Sequence, residues 1–185
     1  MRAAAPGQLD GKVAIVTGTS RGVGVGIARR LLEAGASVVG CSRRELDALP
    51  AAAGIAGAEQ RSAQWICDQR DWRQIDAFVS RVVDRFGRLD ILVNNAGGTI
   101  PTPHVFVLGK RDPAGADYFA NVPLRRGGEP EEVGSACVFL CAGAADIING
   151  ATIFMDGGML PGVLYEPRIQ PIREMLATAG EGRRK

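Results

Sequence analysis

The residues best suited to chemistry come early, in Thr17-Gly18-Thr19-Ser20-Arg21-Gly22-Val23-Gly24, a glycine-rich stretch spaced T-G-x-x-x-G-x-G. Glycine lets the backbone approach an anion closely, and a helix N-terminus offers free N–H groups and a partial positive charge. Such a loop, ending a strand and opening a helix, holds a phosphate. Its spacing is not the commoner G-x-G-x-x-G, so the reading rests on context rather than on the glycines alone. Three other clusters follow short apolar runs: Cys41-Ser42-Arg43-Arg44, Asp68-Gln69 and Asn94-Asn95-Ala96-Gly97. Metal chemistry finds no support. Cysteines 41, 67, 137 and 141 form no C-x-x-C pair, and the one histidine, His104, reads as an exposed loop residue. The thiols are expected to be reduced and packed in a core, with Cys137 and Cys141 at i, i+4 on one helix.

These clusters need elements to position them. Val13–Thr17 reads as a strand buried on both faces, followed by a helix from Gly22 to Ala34 (Val23, Ile27, Leu31) stopped by Gly35. Ser37–Cys41 is a second strand, 44–53 a second helix, and Gln64–Cys67 a third strand. Asp71 caps a long helix to Phe86, with Ile75, Phe78, Val79, Val82 and Val83 on one face, and Gly87 ends it. Leu89–Val93 is strand four. Repeated strand–helix–strand units with short links predict an α/β fold with a doubly wound parallel sheet. After Gly98 the regularity breaks. Asp112-Pro113 opens a short helix to Ala120, and Glu129-Pro130-Glu131-Glu132 opens another to about Cys141. Ala151–Met155 reads as a last strand before Asp156-Gly157-Gly158. The expected organisation is one domain over 1–160 and a C-terminal arm over 161–185.

Composition agrees with a folded chain. Its 185 residues are 46% apolar and 23% charged, and a net charge of +2 is too small to argue for nucleic acid or a membrane surface. No apolar run approaches the roughly 18–20 residues of a membrane span, and the opening residues lack the apolar stretch of a signal peptide. A cytoplasmic location is the expectation.

Taken together, the T-G-x-x-x-G-x-G loop, Asp68 after strand three and Asn94-Asn95-Ala96-Gly97 after strand four resemble the short-chain dehydrogenase/reductase family. Pro123 to Val133 and Asp156-Gly157-Gly158 resemble that family's C-terminal region. The resemblance implies a Rossmann-like domain and an oxidoreductase that moves a hydride between a nicotinamide cofactor and an alcohol or carbonyl substrate. It implies a cofactor site made of Gly18, Ser20, Arg21, Gly22, Val23, Gly24, Ser42, Arg43, Asp68, Gln69, Asn95, Ala96 and Gly97. Ser20, Arg21 and Val23 would line the pyrophosphate and ribose region, and Asp68 would accept from the adenine amino group. Asn95, Ala96 and Gly97 would lie along the adenosine, and Asn94 would brace neighbouring strands. NAD selectivity usually places a carboxylate at the end of strand two. Here Ser42-Arg43-Arg44 stands there instead, and Arg43, aided by Arg21, suits a 2′-phosphate, so NADP is preferred to NAD.

The family's catalytic group, by the same resemblance, is a tyrosine with a lysine four residues on and a serine beside the carbonyl. Tyr118 is followed at that spacing by Val122 and Tyr165 by Ile169; the lysines are Lys12, Lys110 and Lys185. No serine falls between Ser80 and Ser135. Catalytic residues are therefore predicted as none. Only residues 98–122 stand between Gly97 and Pro123, where two βαβ units would need on the order of 60 residues. Central strands and helices are expected to be missing at a join near 103–106, either deleted or simply not included in these 185 residues. Their loss would leave strand four with an open edge and uncovered apolar surface, unless the last strand slides across to pair with it. Three functions stay open: an NADP-dependent oxidoreductase acting on a small carbonyl or alcohol, a non-catalytic nucleotide-binding or interaction module, and an inactive truncated product. A homo-oligomer is expected, a dimer before a tetramer, because helix 131–141 and strand 151–155 resemble one of the family's subunit contacts.

Overall fold

The structure is a computed structural model, and it describes residues 7–96 and 123–158. Gly97, the join near 103–106, His104, the helix expected at 112–120, both tyrosines and the arm 161–185 lie outside the described residues. The chain divides into two compact units, one of 1–100 with 129–152 and the other of 101–128 with 153–185.

The first unit is built on a parallel sheet of β1 (Val13–Thr17), β2 (Ser37–Ser42), β3 (Ser62–Ile66) and β4 (Ile91–Val93), ordered β3-β2-β1-β4. Register runs Val13↔Ser37 and Ala14↔Ile91 on the two sides of β1, and Val38↔Ser62 beyond. Alternation then sends side chains to opposite faces. Ala14, Val16 and Val38 pack with Ile27, Leu31 and Leu32 of α1 (Val23–Glu33). Val13, Ile15, Val39, Cys41, Ala63 and Cys67 pack with Phe78 and Val82 of α2 (Trp72–Phe86). The doubly wound architecture expected from the repeats is the one observed.

Local signals explain the boundaries. The Asp71 carboxylate accepts from the Arg73 N–H to open α2, and Gly87 closes it in the left-handed region at φ 77°. Asp90 anchors the start of β1: its Oδ2 accepts from the Val13 N–H at 2.9 Å and from Arg88 Nε at 2.8 Å. α3 (Pro130–Cys141) carries a reciprocal cap between Glu129 and Glu132. It lies close on α1 because Gly26 and Gly134 have no side chains; a Cβ on Gly134 would sit 2.6 Å from the Gly26 carbonyl oxygen.

Three expectations need correction. Residues 44–53 form no α-helix, only a 3₁₀ turn at Pro50–Ala52. Pro50 supplies no N–H and restrains Leu49 to an extended backbone, so a helix cannot run through. On α2, Phe78 and Val82 are buried, but Ile75 and Val83 of the expected apolar face are exposed. That helix is covered by the sheet on one flank alone among the described residues. The strand expected at 151–155 is absent, and Ile153, Phe154 and Met155 are exposed. An apolar run becomes a strand only where another backbone pairs with it. β4 lies at an edge of the described sheet, pairing with β1 alone, and its Leu92 is 57% exposed.

The second unit's described residues are few. Leu124 N–H donates to the Gly157 carbonyl, and Gly158 N–H donates to Asp156 Oδ1. No helix among the described residues is long and apolar enough to cross a membrane.

Candidate functional site

The loop from Gly18 to Gly22 joins the C-terminal end of β1 to α1, as its glycines imply. Gly22 is the N-cap at φ 64°, contributes no side-chain hydrogen bond, and is followed by a first turn without acidic residues. Open N–H groups with no competing carboxylate are what an anion needs. The glycines differ in purpose. A Cβ on Gly22 would meet nothing within 4 Å, so that corner is open for a phosphate to approach. A Cβ on Gly18 would lie 2.8 Å from Ala96 Cβ, and one on Gly24 would strike the Gly18 carbonyl and the Asn95 amide. Those two glycines let the loop press against the end of β4.

Asn95 and Thr17 fasten that contact. Thr17 Oγ1 accepts from the Asn95 N–H at 2.9 Å and the Ala96 N–H at 2.8 Å, while donating to the Val93 carbonyl at 3.4 Å. Asn95 Nδ2 donates to the carbonyls of Thr17 at 2.7 Å and Gly18 at 3.3 Å. The strand-bracing role expected of Asn94 therefore belongs to Asn95, and Asn94 is exposed. The physical reason is alternation: one residue's step turns the neighbouring side chain away.

On the other side, the Gly18 N–H donates to the Cys41 carbonyl at 2.9 Å, tying the loop to the end of β2. Ser42 is buried, with Oγ donating to the Arg44 carbonyl at 2.6 Å. Arg43 and Arg21 are exposed, and among the described residues neither forms a hydrogen bond or ion pair. The Arg43 charge does reach Asp68, whose carboxyl is lowered to about 2, first by hydrogen bonds from Arg70 and in lesser part by Arg43. Arg70 donates from Nε to both carboxylate oxygens at 3.0 and 3.1 Å and from Nη2 at 2.5 Å, and its backbone N–H adds a fourth bond at 3.1 Å. Asp68 is thus an ionised acceptor with most of its lone pairs already engaged. Gln69, exposed, donates from Nε2 to Cys41 Sγ at 3.6 Å.

The structure brings Gly18, Ser20, Arg21, Gly22, Val23, Gly24, Ser42, Arg43, Asp68, Gln69, Asn95 and Ala96 to the C-terminal ends of β1 to β4 and the start of α1. That edge is where open α/β sheets take ligands. Sequence reasoning passed over Thr17 as a clamp and over Thr19, Gly40 and Gln64. A polar residue flanked by apolar ones in a short strand was the available signal for Gln64. The four cysteines are free thiols. Burial is the largest cause raising Cys67, Cys137 and Cys141, which keeps them protonated and poor nucleophiles.

The profile of the short chain dehydrogenase family matches residues 12–108, and that of a related group described as enoyl-(acyl carrier protein) reductase matches 97–160. An L-fucose dehydrogenase of Oryctolagus cuniculus is 45% identical over 94 residues, covering 49% of this chain and 31% of that protein. A 2-dehydro-3-deoxy-D-gluconate 5-dehydrogenase of Pseudoalteromonas atlantica is 40% identical over 96 residues, covering 51% of this chain and 38% of its own length. The chain thus spans about a third of the length of these curated relatives. A solved short chain dehydrogenase from Bacillus anthracis superposes with a TM-score of 0.71 at 21% identity, over 82% of this chain and 98% of that one, a likeness of fold.

Proposed function

Because the chain belongs to the short chain dehydrogenase family, an oxidoreductase family that uses nicotinamide dinucleotides, we propose that its described site is the adenosine-phosphate half of an NADP site. The observation that carries this is the pair of unpaired guanidiniums, Arg21 and Arg43, beside an uncapped α1 with no carboxylate at the end of β2. The residues fit the cofactor. Gly22 leaves the open corner, α1 presents its N–H groups, and Arg43, exposed just after β2, would pair with a 2′-phosphate. A bound nicotinamide dinucleotide would supply the hydride; this chain's residues hold the nucleotide, orient it and select it by charge. The relatives' names support an alcohol or carbonyl compound as the substrate class.

The same reading holds that these 185 residues bind nucleotide without turning it over. No tyrosine has a lysine four residues on, so no relay exists for the substrate proton. In this reading central strands and helices are absent at a join near 103–106, and the chain acts in the cytoplasm as a dimer. Titration with 2′,5′-ADP tests the site: binding is expected, weakened roughly 10- to 100-fold by Arg43→Ala, the worth of one charge-assisted phosphate contact. A folded sample that binds no 2′,5′-ADP refutes it. NADPH oxidation over a panel of ketones is expected to be flat, and turnover above background refutes the non-catalytic reading.

A further inference from the structure

Beneath the phosphate loop runs a buried chain of hydrogen bonds that direct nucleotide contact does not explain. Gln64 on β3 stands opposite Gly40 on β2, and its carboxamide reaches over that glycine in both directions. Thr19 Oγ1, fully buried, donates to Gln64 Oε1 at 2.6 Å. Gln64 Nε2 donates to Ser42 Oγ at 3.3 Å, and Ser42 Oγ donates to the Arg44 carbonyl at 2.6 Å. Gly40 makes the space, since a Cβ there would collide with Thr19 Oγ1, Gln64 Oε1 and a Leu49 methyl.

The chain has a direction. A serine hydroxyl owns one proton, and with Gln64 donating into Ser42 Oγ that proton is free to go to Arg44. Thr19 fixes the amide the other way, by giving its own proton to Oε1. Removing the Gln64 amide leaves the Ser42 hydroxyl free to rotate, and the bond across residues 42–44 is no longer enforced. Arg43 lies inside that turn.

We propose that Gln64 is a positioning residue for cofactor selection: through Ser42 it holds the 42–44 turn so that Arg43 meets a 2′-phosphate, and through Thr19 it couples that turn to the phosphate loop. This rests on the NADP reading above and adds to it the device that sets the discrimination. A residue of merely structural value would weaken all adenosine ligands alike. A positioning residue changes the ratio between them.

The test measures affinities of the full chain for 2′,5′-ADP and 5′-ADP by calorimetry, in wild type, Gln64→Met, Thr19→Val, Thr19→Ser and Ser42→Ala. Wild type is expected to prefer 2′,5′-ADP. In Gln64→Met that preference should fall about tenfold, the order of one charge-assisted contact, with 5′-ADP affinity within about twofold, and in Ser42→Ala the ratio of the two affinities should fall as well. Thr19→Val should lose part of the preference, and Thr19→Ser, which keeps the hydroxyl, should retain it. Ser42→Ala removes the bonds to Gln64 and to the Arg44 carbonyl but keeps the Thr19–Gln64 pair, and its ratio carries the test if Gln64→Met does not fold. An unchanged ratio in Gln64→Met or Ser42→Ala, in a chain whose wild type does prefer 2′,5′-ADP, overturns the positioning role and leaves the NADP reading intact. Parallel loss of both ligands overturns it too. No preference in wild type overturns both.

Discussion

Replacing Thr17 by valine tests whether the clamp between β1 and β4 holds the site together. The two side chains have nearly the same shape, so the change removes the hydroxyl without opening a cavity. Two backbone N–H groups, those of Asn95 and Ala96, lose the acceptor they reach at 2.9 and 2.8 Å. The weaker donation to Val93 at 3.4 Å goes as well. The Asn95 N–H keeps the Val93 carbonyl at 3.1 Å, whereas the partly buried Ala96 N–H is left without a partner among the described residues, so the change costs about 1–2 kcal/mol. For a chain of this size one kcal/mol moves the midpoint by about 2–4 °C, which puts the expected fall in Tm at about 2–8 °C. Circular dichroism melts of wild type, Thr17→Val and Thr17→Ser read it directly. Serine retains the acceptor and should recover most of the loss. A Thr17→Val chain melting within about 1 °C of wild type refutes the clamp, as does an equal fall in Thr17→Ser.

Gly24→Ala should weaken 2′,5′-ADP binding at least tenfold and cost about 1–3 kcal/mol, because its Cβ would strike the Gly18 carbonyl and the Asn95 amide; calorimetry and a melt check both. Asp71→Ala removes the cap that accepts from Arg73 and should cost about 1 kcal/mol, read as a fall of about 2–4 °C in Tm with nucleotide affinity unchanged. Asp90 is lowered to about 2, first by hydrogen bonding from Arg88 and further by the Val13 N–H. A depressed carboxyl stabilises the fold above its ordinary pKa, so this contribution is whole above about pH 5 and lost as pH falls toward 2. Denaturant titrations between pH 6 and 2.5 should show that slope, and Asp90→Asn should reduce it, leaving the part that comes from Asp68.

The sheet and the phosphate loop were legible in the sequence because each rests on local signals. Val13–Thr17 is β-branched and apolar, Gly22 and Gly35 punctuate α1, and Asp71 and Gly87 mark the ends of α2. The side-chain interior of the site was not. Whether Asn94 or Asn95 braces β1 depends on a single residue of register after β4, and sequence spacing does not fix register at a strand end. Gln64 looked like one polar residue in a short strand; its meaning comes from standing across from Gly40, a pairing between residues 24 positions apart. The 44–53 segment was misread because its alanines favour helix while Pro50 interrupts the turn, and the packing of Leu49, Ala51 and Ala52 under α1 decides the outcome.

The site's bonds also bear on whether the proposed nucleotide half-site needs more sheet beside β4. Leu92 on β4 is exposed, and no backbone pairs with the outer side of that strand among the described residues. Yet among the described residues every hydrogen bond that shapes the glycine-rich loop comes from β1 to β4 or from the three residues after β4. Thr17 and Asn95 tie it on one side, and Cys41, Thr19 and Gln64 on the other. None of these partners lies beyond residue 96. On the proposed reading, recognition of a phosphorylated adenosine would therefore draw on contacts that do not change if further strands are added at β4. What such strands would contribute is cover for the apolar face and a relay for the substrate proton. Binding should accordingly be separable from turnover, and ligand should stabilise the chain by mass action, about 2.7 kcal/mol at a hundred times Kd. A chain that binds 2′,5′-ADP but gains no thermal stability from it would break that link, since it would mean the ligand meets the unfolded and folded chain alike.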